Sequence, residues 1–325
     1  MKISLFYLCR FLSFFLHGLA IFYLYYNEEG YDMMLSWIFS VLMVAQSVVP
    51  PDHLEITKDG YNITTINRMD FSNPNIDLPF IDNVKYNQFL DQLDKQITTQ
   101  PKNAYINQHG TIISEQVGFR INRQAFTEQF YSYFFSRRHG TLEIPLLPVY
   151  AKVDSELLGE IRSIRIGRYV TTFNPSNKTR TTNIQLAVKA INNTVVFPGE
   201  TFSFNKVVGK RTVAKGYLRA PVIIRGEYSE DIGGGICQVS STLFNAVDNA
   251  GLKIVQRFSH SKKVPYIPPG RDATVSWYGP DFEFKNLYNQ PILIQSRTMG
   301  HLLVIKLYSS ENIQYIPRKV PPPPY

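Results

Sequence analysis

The sequence predicts an α+β protein. An N-terminal membrane segment leads into a small strand and helix module, and then into a larger domain. In that domain a glycine-rich turn enters a helix, and a C-terminal antiparallel β region closes the fold. Three observations carry the prediction. The 325 residues are 44% hydrophobic, which suits about two packed domains. Apolar residues switch repeatedly between helical spacing and alternation. Strand-like runs crowd the last third of the folded sequence.

Residues 1–50 read as a membrane anchor or signal region, with apolar runs from Ile3 to Tyr26 and from Met33 to Val49. If both runs span, Lys2 and Arg10 draw both ends of the hairpin toward the cytoplasm. If translation starts at Met33 or Met34, the second run is a signal peptide or single anchor, and the rest of the chain is exported. Export is the reading preferred here.

Residues 54–165 form the small module. Tyr86, Phe89, Leu90, Leu93 and Ile97 recur at helical spacing before Pro101. A hairpin is expected around Gln108-His109-Gly110, a second helix from Arg123 to Phe135, and an extended edge segment from Thr141 to Leu146. Residues 166–310 form the larger domain. Thr181 to Ile191 reads as a helix, and Pro198-Gly199 as a turn before an alternating strand. Strands are expected over Phe282–Lys285, Pro291–Gln295 and Leu302–Leu307, with Met299-Gly300 at a hairpin tip. The Pro-rich tail, 311–325, is expected to be unfolded.

A net charge of +8 with 22 Phe and 20 Tyr gives a basic, aromatic-rich chain. That suits a membrane surface or an anionic or sugar-rich polymer. No helix-turn-helix, zinc-finger or single-stranded RNA-binding signature is present, so no nucleic-acid partner is expected. No cofactor is expected either.

The chain has two cysteines, and Cys9 lies in an apolar run, so Cys237 must be explained alone. It follows Gly233-Gly234-Gly235 at the start of a helix in which Ile236, Val239, Leu243, Ala246, Val247 and Ala250 share one stripe, and Gly251 supplies the stop. Cys237 falls about 130° from the stripe's centre, beside Ser241 and Phe244. Glycines permit close approach of a ligand, and a helix N-terminus favours a thiolate or an oxyanion. His260, just beyond the helix in a polar segment, is the expected base. Asp272 is placed to orient the imidazole and Arg271 to grip a carboxylate. Catalytic roles therefore fall to Cys237, His260 and Asp272. Substrate binding falls to Gly233, Gly234, Gly235, Ser240, Ser241, Tyr266 and Arg271. A zinc site on Cys237 and His260 would lack the usual three or four ligands, so no metal is expected.

Several motifs stand in order: Phe197-Pro198-Gly199-Glu200-Thr201-Phe202-Ser203-Phe204-Asn205, Gly216-Tyr217 with Ala220-Pro221-Val222-Ile223, Gly233 to Asn245, and Tyr266-Ile267-Pro268-Pro269-Gly270-Arg271-Asp272-Ala273-Thr274. Together they resemble the VanW family, over roughly Arg168 to Tyr308. Residues from about 85 to 160 are similar to the peptidoglycan-binding domain that precedes L,D-transpeptidase or VanW domains. The resemblance implies a bacterial cell-envelope protein at the membrane, its outer face or the wall, with peptidoglycan as partner. It implies an L,D-transpeptidase-like cysteine acyl transfer on stem peptides. The alternative is a non-catalytic wall-binding, assembly or glycopeptide-resistance accessory protein. Family members often have a histidine where Phe258 stands here, whereas His260 and Ser261 are kept.

Overall fold

The computed structural model describes residues 53–72, 80–136, 139–224 and 227–324. The expected membrane or signal region, residues 1–50, lies outside them. Among the described residues no helix is long and apolar enough to cross a membrane. The chain forms two compact units, one of residues up to Gln96 with Ile121–Pro145, the other of Ile97–Arg120 with everything from Leu146 onward.

In the first unit, β1 (His53–Lys58) and β2 (Tyr61–Asn67) make an antiparallel hairpin through Asp59-Gly60, whose φ angles are 52° and 77°. Tight two-residue hairpins need that left-handed conformation. The strand β6 (Gly140–Glu143) joins β1 in parallel, giving the order β2-β1-β6. Helices α1 (Asn83–Ile97) and α2 (Arg123–Ser136) correspond to the two helical patterns in the sequence. Their apolar faces meet in an aromatic core, with the Phe130 ring 4.6 Å from Tyr86 and 5.1 Å from Phe71. Such ring pairs add to the energy of burial itself.

Residues 97–120 and 146–165 fold with the second unit. The hairpin of β3 (Tyr105–Ile106) and β4 (Ile112–Ile113) is fastened by Asn193, whose side chain exchanges two 3.0 Å hydrogen bonds with the Ile106 backbone. Ala104 and Ile106 share a small core with Leu293 and with α3 (Ser155–Ile161). The expected extended segment ends at Glu143 and resumes after Pro145 as β7 (Leu146–Val149), which pairs with β5 (Gly118–Ile121).

The centre of the second unit is an antiparallel sheet of β8 (Ile164–Thr172), β16 (Leu302–Ser309), β15 (Ile292–Met299) and β9 (Thr194–Val196), in that order. The Met299-Gly300 tip and the C-terminal strands stand where the sequence puts them. Helix α4 (Lys178–Ile191) packs on β15, and α6 (Ile236–Asn249) packs on β8 and β16. A Cβ at Gly167 of β8 would stand 2.5 Å from the Ala246 carbonyl oxygen, so this strand and α6 approach more closely than alanine permits. A second sheet, β10-β14-β13, joins β10 (Thr201–Ser203), β14 (Glu283–Lys285) and β13 (Lys253–Gln256). The short helix α5 (Phe204–Val208) follows β10, and β11 (Arg219–Ile224) pairs with β12 (Glu227–Ile232) just before the glycines.

The tail is not loose, contrary to the expectation from its prolines. Arg318 N–H donates to the Asn249 carbonyl, Asn249 Nδ2 returns a bond to the Arg318 carbonyl, and Tyr169 Oη donates to Pro321. Ile313 is buried. Proline prevents a strand or helix here, but the extended chain still offers carbonyls and one apolar anchor.

Candidate functional site

The three glycines do different work. Gly233 and Gly235 have φ of 93° and 104°, the left-handed region that glycine enters without cost to a Cβ. At Gly234 a Cβ would sit 2.5 Å from the Ala220 carbonyl oxygen, so its small size serves packing against β11. Asn183 of α4 fixes the loop, donating to the Gly234 and Leu218 carbonyls and accepting from Leu218 N–H. From Gly235 the chain turns directly into α6.

The sequence predicts a one-sided helix, yet α6 is buried on nearly every face. Gln238, Ser240, Ser241, Thr242 and Asn245 are all within 1% of full burial. Each is hydrogen-bonded, as buried polar groups must be. Gln238 binds Thr171 and the Thr172 carbonyl at 3.0 and 2.8 Å, and accepts from Arg180 at 2.7 Å. Ser240 donates to the Ala273 carbonyl at 2.5 Å, and Ser241 accepts from Ala273 N–H at 2.9 Å. Asn245 Nδ2 donates to the Arg271 carbonyl at 2.8 Å. The polar flank of α6 is thus a seam that holds residues 271–275 alongside Cys237.

That seam delivers the acid of the site. His260 Nδ1 lies 2.7 Å from Asp272 Oδ2, and His260 N–H donates to the same oxygen at 2.5 Å. The two side chains are only 6% and 9% exposed. With Nδ1 held by the carboxylate, Nε2 is the remaining ring nitrogen, and ring and thiol lie close enough for each to shift the other's pKa. The partly buried Cys237 Sγ is also 3.5 Å from the Val275 carbonyl oxygen. Burial pushes the thiol pKa up, but the His260 hydrogen bond and charge, helped by the Val275 backbone and Thr274, bring it below its ordinary value. Burial pulls His260 down, yet the Asp272 hydrogen bond, followed by the bond and charge of Cys237, raises it to about 9. Burial raises Asp272, and the His260 ring and backbone N–H bring it below the usual carboxylate range. A thiolate beside an imidazolium is the favoured pairing, the activated form of a nucleophilic cysteine.

Tyr266 is partly buried near the thiol, its pKa raised by burial and then by the Cys237 charge. Arg271 does not face the thiol. Its Nε binds Asn245 Oδ1 at 2.8 Å, its Nη2 binds Asp248 Oδ2 at 2.7 Å, and the guanidinium lies over the Phe244 ring. Phe258 is 46% exposed, and its carbonyl accepts from Thr274 N–H. The His260–Asp272 pair therefore forms without a second imidazole.

Two cations absent from the sequence reading come close enough to feel the thiol. Arg180 of α4 is bonded to Gln238 and lies 5.9 Å over the Tyr266 ring. Arg211 follows α5, beside Gly233 and the Phe204 ring. Each sits far from Cys237 in sequence and in an ordinary-looking polar stretch, so only the packing of α4 and α5 reveals it. Among the described residues no group of three or more His, Cys, Asp or Glu side chains has the arrangement of a metal site.

The family model described as VanW like protein matches residues 179–308, which contain Cys237, His260 and Asp272. The uncharacterized protein YoaR of Bacillus subtilis is 54% identical over 287 residues, covering 88% of this chain and 95% of YoaR. The vancomycin B-type resistance protein VanW of Enterococcus faecalis is 34% identical over 109 residues, 32% of this chain and 40% of that protein. No solved structure matches. The matched segment carries the whole thiol, imidazole and carboxylate line, and the chain belongs to the VanW-like family.

Proposed function

We propose that the protein is a cysteine acyltransferase of the cell envelope, acting on peptidoglycan stem peptides in the manner of an L,D-transpeptidase. The observation that carries this reading is the Cys237–His260–Asp272 line, with the thiol pKa lowered and the imidazole pKa raised. The substrate class rests on the family, one relative of which is named for vancomycin resistance. On this reading the N-terminal apolar runs attach the protein to the membrane, and the first unit adds contact with the wall.

In the first half-reaction the Cys237 thiolate attacks the carbonyl that joins the penultimate stem residue to its terminal D-residue. A C–S bond forms, the C–N bond breaks, and His260 gives its proton to the departing amine. In the second, an amine on a neighbouring stem attacks the thioester while His260 takes the amine proton. The new C–N bond forms, the C–S bond breaks, and the thiolate is restored. Asp272 keeps Nδ1 protonated throughout and so fixes which nitrogen faces the reacting atoms.

Incubation of the full-length protein with disaccharide-tetrapeptide should release the terminal D-residue and yield cross-linked dimer. Cys237→Ala should lower the rate by about 10³-fold or more, since no other group supplies the nucleophile. Absence of product from wild type, where a known transpeptidase gives it, would overturn acyl transfer. Capture by purified sacculi that survives Cys237→Ser would then favour the wall-binding function.

A further inference from the structure

Arg211 presents an arrangement that the proposed mechanism does not use. Both terminal guanidinium nitrogens are buried, and neither has a hydrogen-bond partner among the described residues. A buried charged donor without an acceptor is costly, and native proteins keep few of them. The neighbouring arginines differ in this respect, since Arg180 is bonded to Gln238, and Arg271 to Asn245 and Asp248. Asp281 lies within electrostatic range of Arg211, but its oxygens are already engaged. Oδ2 accepts from Ser203 at 2.5 Å, and Oδ1 accepts from Asn205 N–H at 2.9 Å and Phe282 N–H at 2.7 Å.

A second orphan atom lies in the same region. Asn205 Oδ1 is buried without a partner among the described residues, while Asn205 Nδ2 donates to the Ser276 carbonyl at 2.9 Å. Ser276 adjoins Val275, whose carbonyl meets the Cys237 thiol. A donor pair and an acceptor thus stand unused near the nucleophile. Arg211 is also close enough for its charge to interact with that of Cys237.

We propose that Arg211 is a substrate-binding residue whose guanidinium receives the terminal carboxylate of the residue that the thiolate expels. This deepens the acyl-transfer reading and rests on it for the identity of the ligand. The chemistry fits because the terminal carboxylate lies one residue from the attacked carbonyl, about 3.8 Å from Cα to Cα. A guanidinium takes a carboxylate through two parallel N–H donors, and neither terminal nitrogen of Arg211 is committed to another acceptor among the described residues.

The test reads alkylation of Cys237 in the full-length protein by peptide mass spectrometry, which separates it from Cys9. In wild type, N-acetyl-D-alanine should slow labelling by iodoacetamide, whereas N-acetyl-D-alaninamide at equal concentration should not. Iodoacetate carries its own carboxylate, so the ratio of iodoacetate to iodoacetamide rates should fall about tenfold in Arg211→Gln and recover in part in Arg211→Lys. Equal protection by acid and amide, or an unchanged ratio in folded Arg211→Gln, overturns the proposal. Should Arg211→Gln fail to fold, the wild-type competition decides by itself. Carboxylate-selective protection without cross-linked product would support the subsite and sink acyl transfer. Cross-linking with an unchanged alkylation ratio would do the reverse.

Discussion

The two ends of helix α6 are built from similar residue types and arranged in opposite ways. At the C-terminal end, Asp248 sits where the helix dipole disfavours an anion, and it is neutralised by Arg271 at 2.7 Å and Arg318 at 2.9 Å. Burial would raise the Asp248 pKa, but Arg271 and then Arg318 bring it below the usual carboxylate range. Asn245 and Asn249 bond the same two arginine segments. At the N-terminal end, His260 and Asp272 are bonded beside Cys237, while the terminal nitrogens of Arg211 have no acceptor among the described residues. A closed charge network stabilises a fold, whereas an open one has capacity for a ligand. The contrast explains why Arg271, although next to Asp272 in sequence, belongs to the structural end.

The comparison breaks if the two ends respond alike to mutation. The largest effect is expected from Cys237→Ala, which should remove acyl transfer and leave the melting temperature nearly unchanged. Next, Arg271→Ala should destabilise the protein by about 2–3 kcal/mol by chemical denaturation, because it removes the more buried of the two partners of Asp248 together with the bond to Asn245. Iodoacetamide reactivity of Cys237 should change little in that variant.

Asp272→Asn should then lower Cys237 alkylation at neutral pH by about tenfold, because the imidazolium that favours the thiolate loses its partner. The sign follows from the pair. His260 is protonated below about 9, and the thiol ionises below its ordinary value, so the reactive pair fills the window between the two pKa values. Wild-type alkylation should therefore persist below the pH at which a free thiol loses reactivity. Without the carboxylate, His260 falls toward its ordinary value and the window narrows from above. A pH–rate profile that superimposes on wild type would remove Asp272 from the site. Smallest of all, Arg318→Ala should cost under about 1 kcal/mol, since that side chain is 51% exposed and water already screens the pair.

Much of this division could be read from the sequence where the signal was local. Gly251 at φ 76° ended the helix that apolar spacing predicted, and the Met299-Gly300 tip joined strands that alternation predicted. Cys237, His260 and Asp272 all lie within one stretch of polar and turn-forming residues around a single helix, and the fold brings them together. What stayed hidden depended on distant packing. Ser240 and Ser241 looked like ligand contacts because they share a helix with Cys237, but their hydroxyls meet the Ala273 backbone. Residues 97–120 looked like part of the upstream module, because nothing in their composition reveals the bonds between Ile106 and Asn193. Arg211 follows Lys210 in what reads as an ordinary basic surface pair, and the sequence does not say which of the two is turned inward.

Gly234 has a consequence for tracing descent. Its missing side chain is demanded by the Ala220 carbonyl 2.5 Å from where a Cβ would be, whatever the cysteine three positions later does. A relative without the cysteine would still be held to glycine there as long as it kept the fold. On the proposed reading, the glycine run is therefore a poor test of which relatives carry the chemistry, and the joint presence of Cys237, His260, Asp272 and Arg211 is the better one.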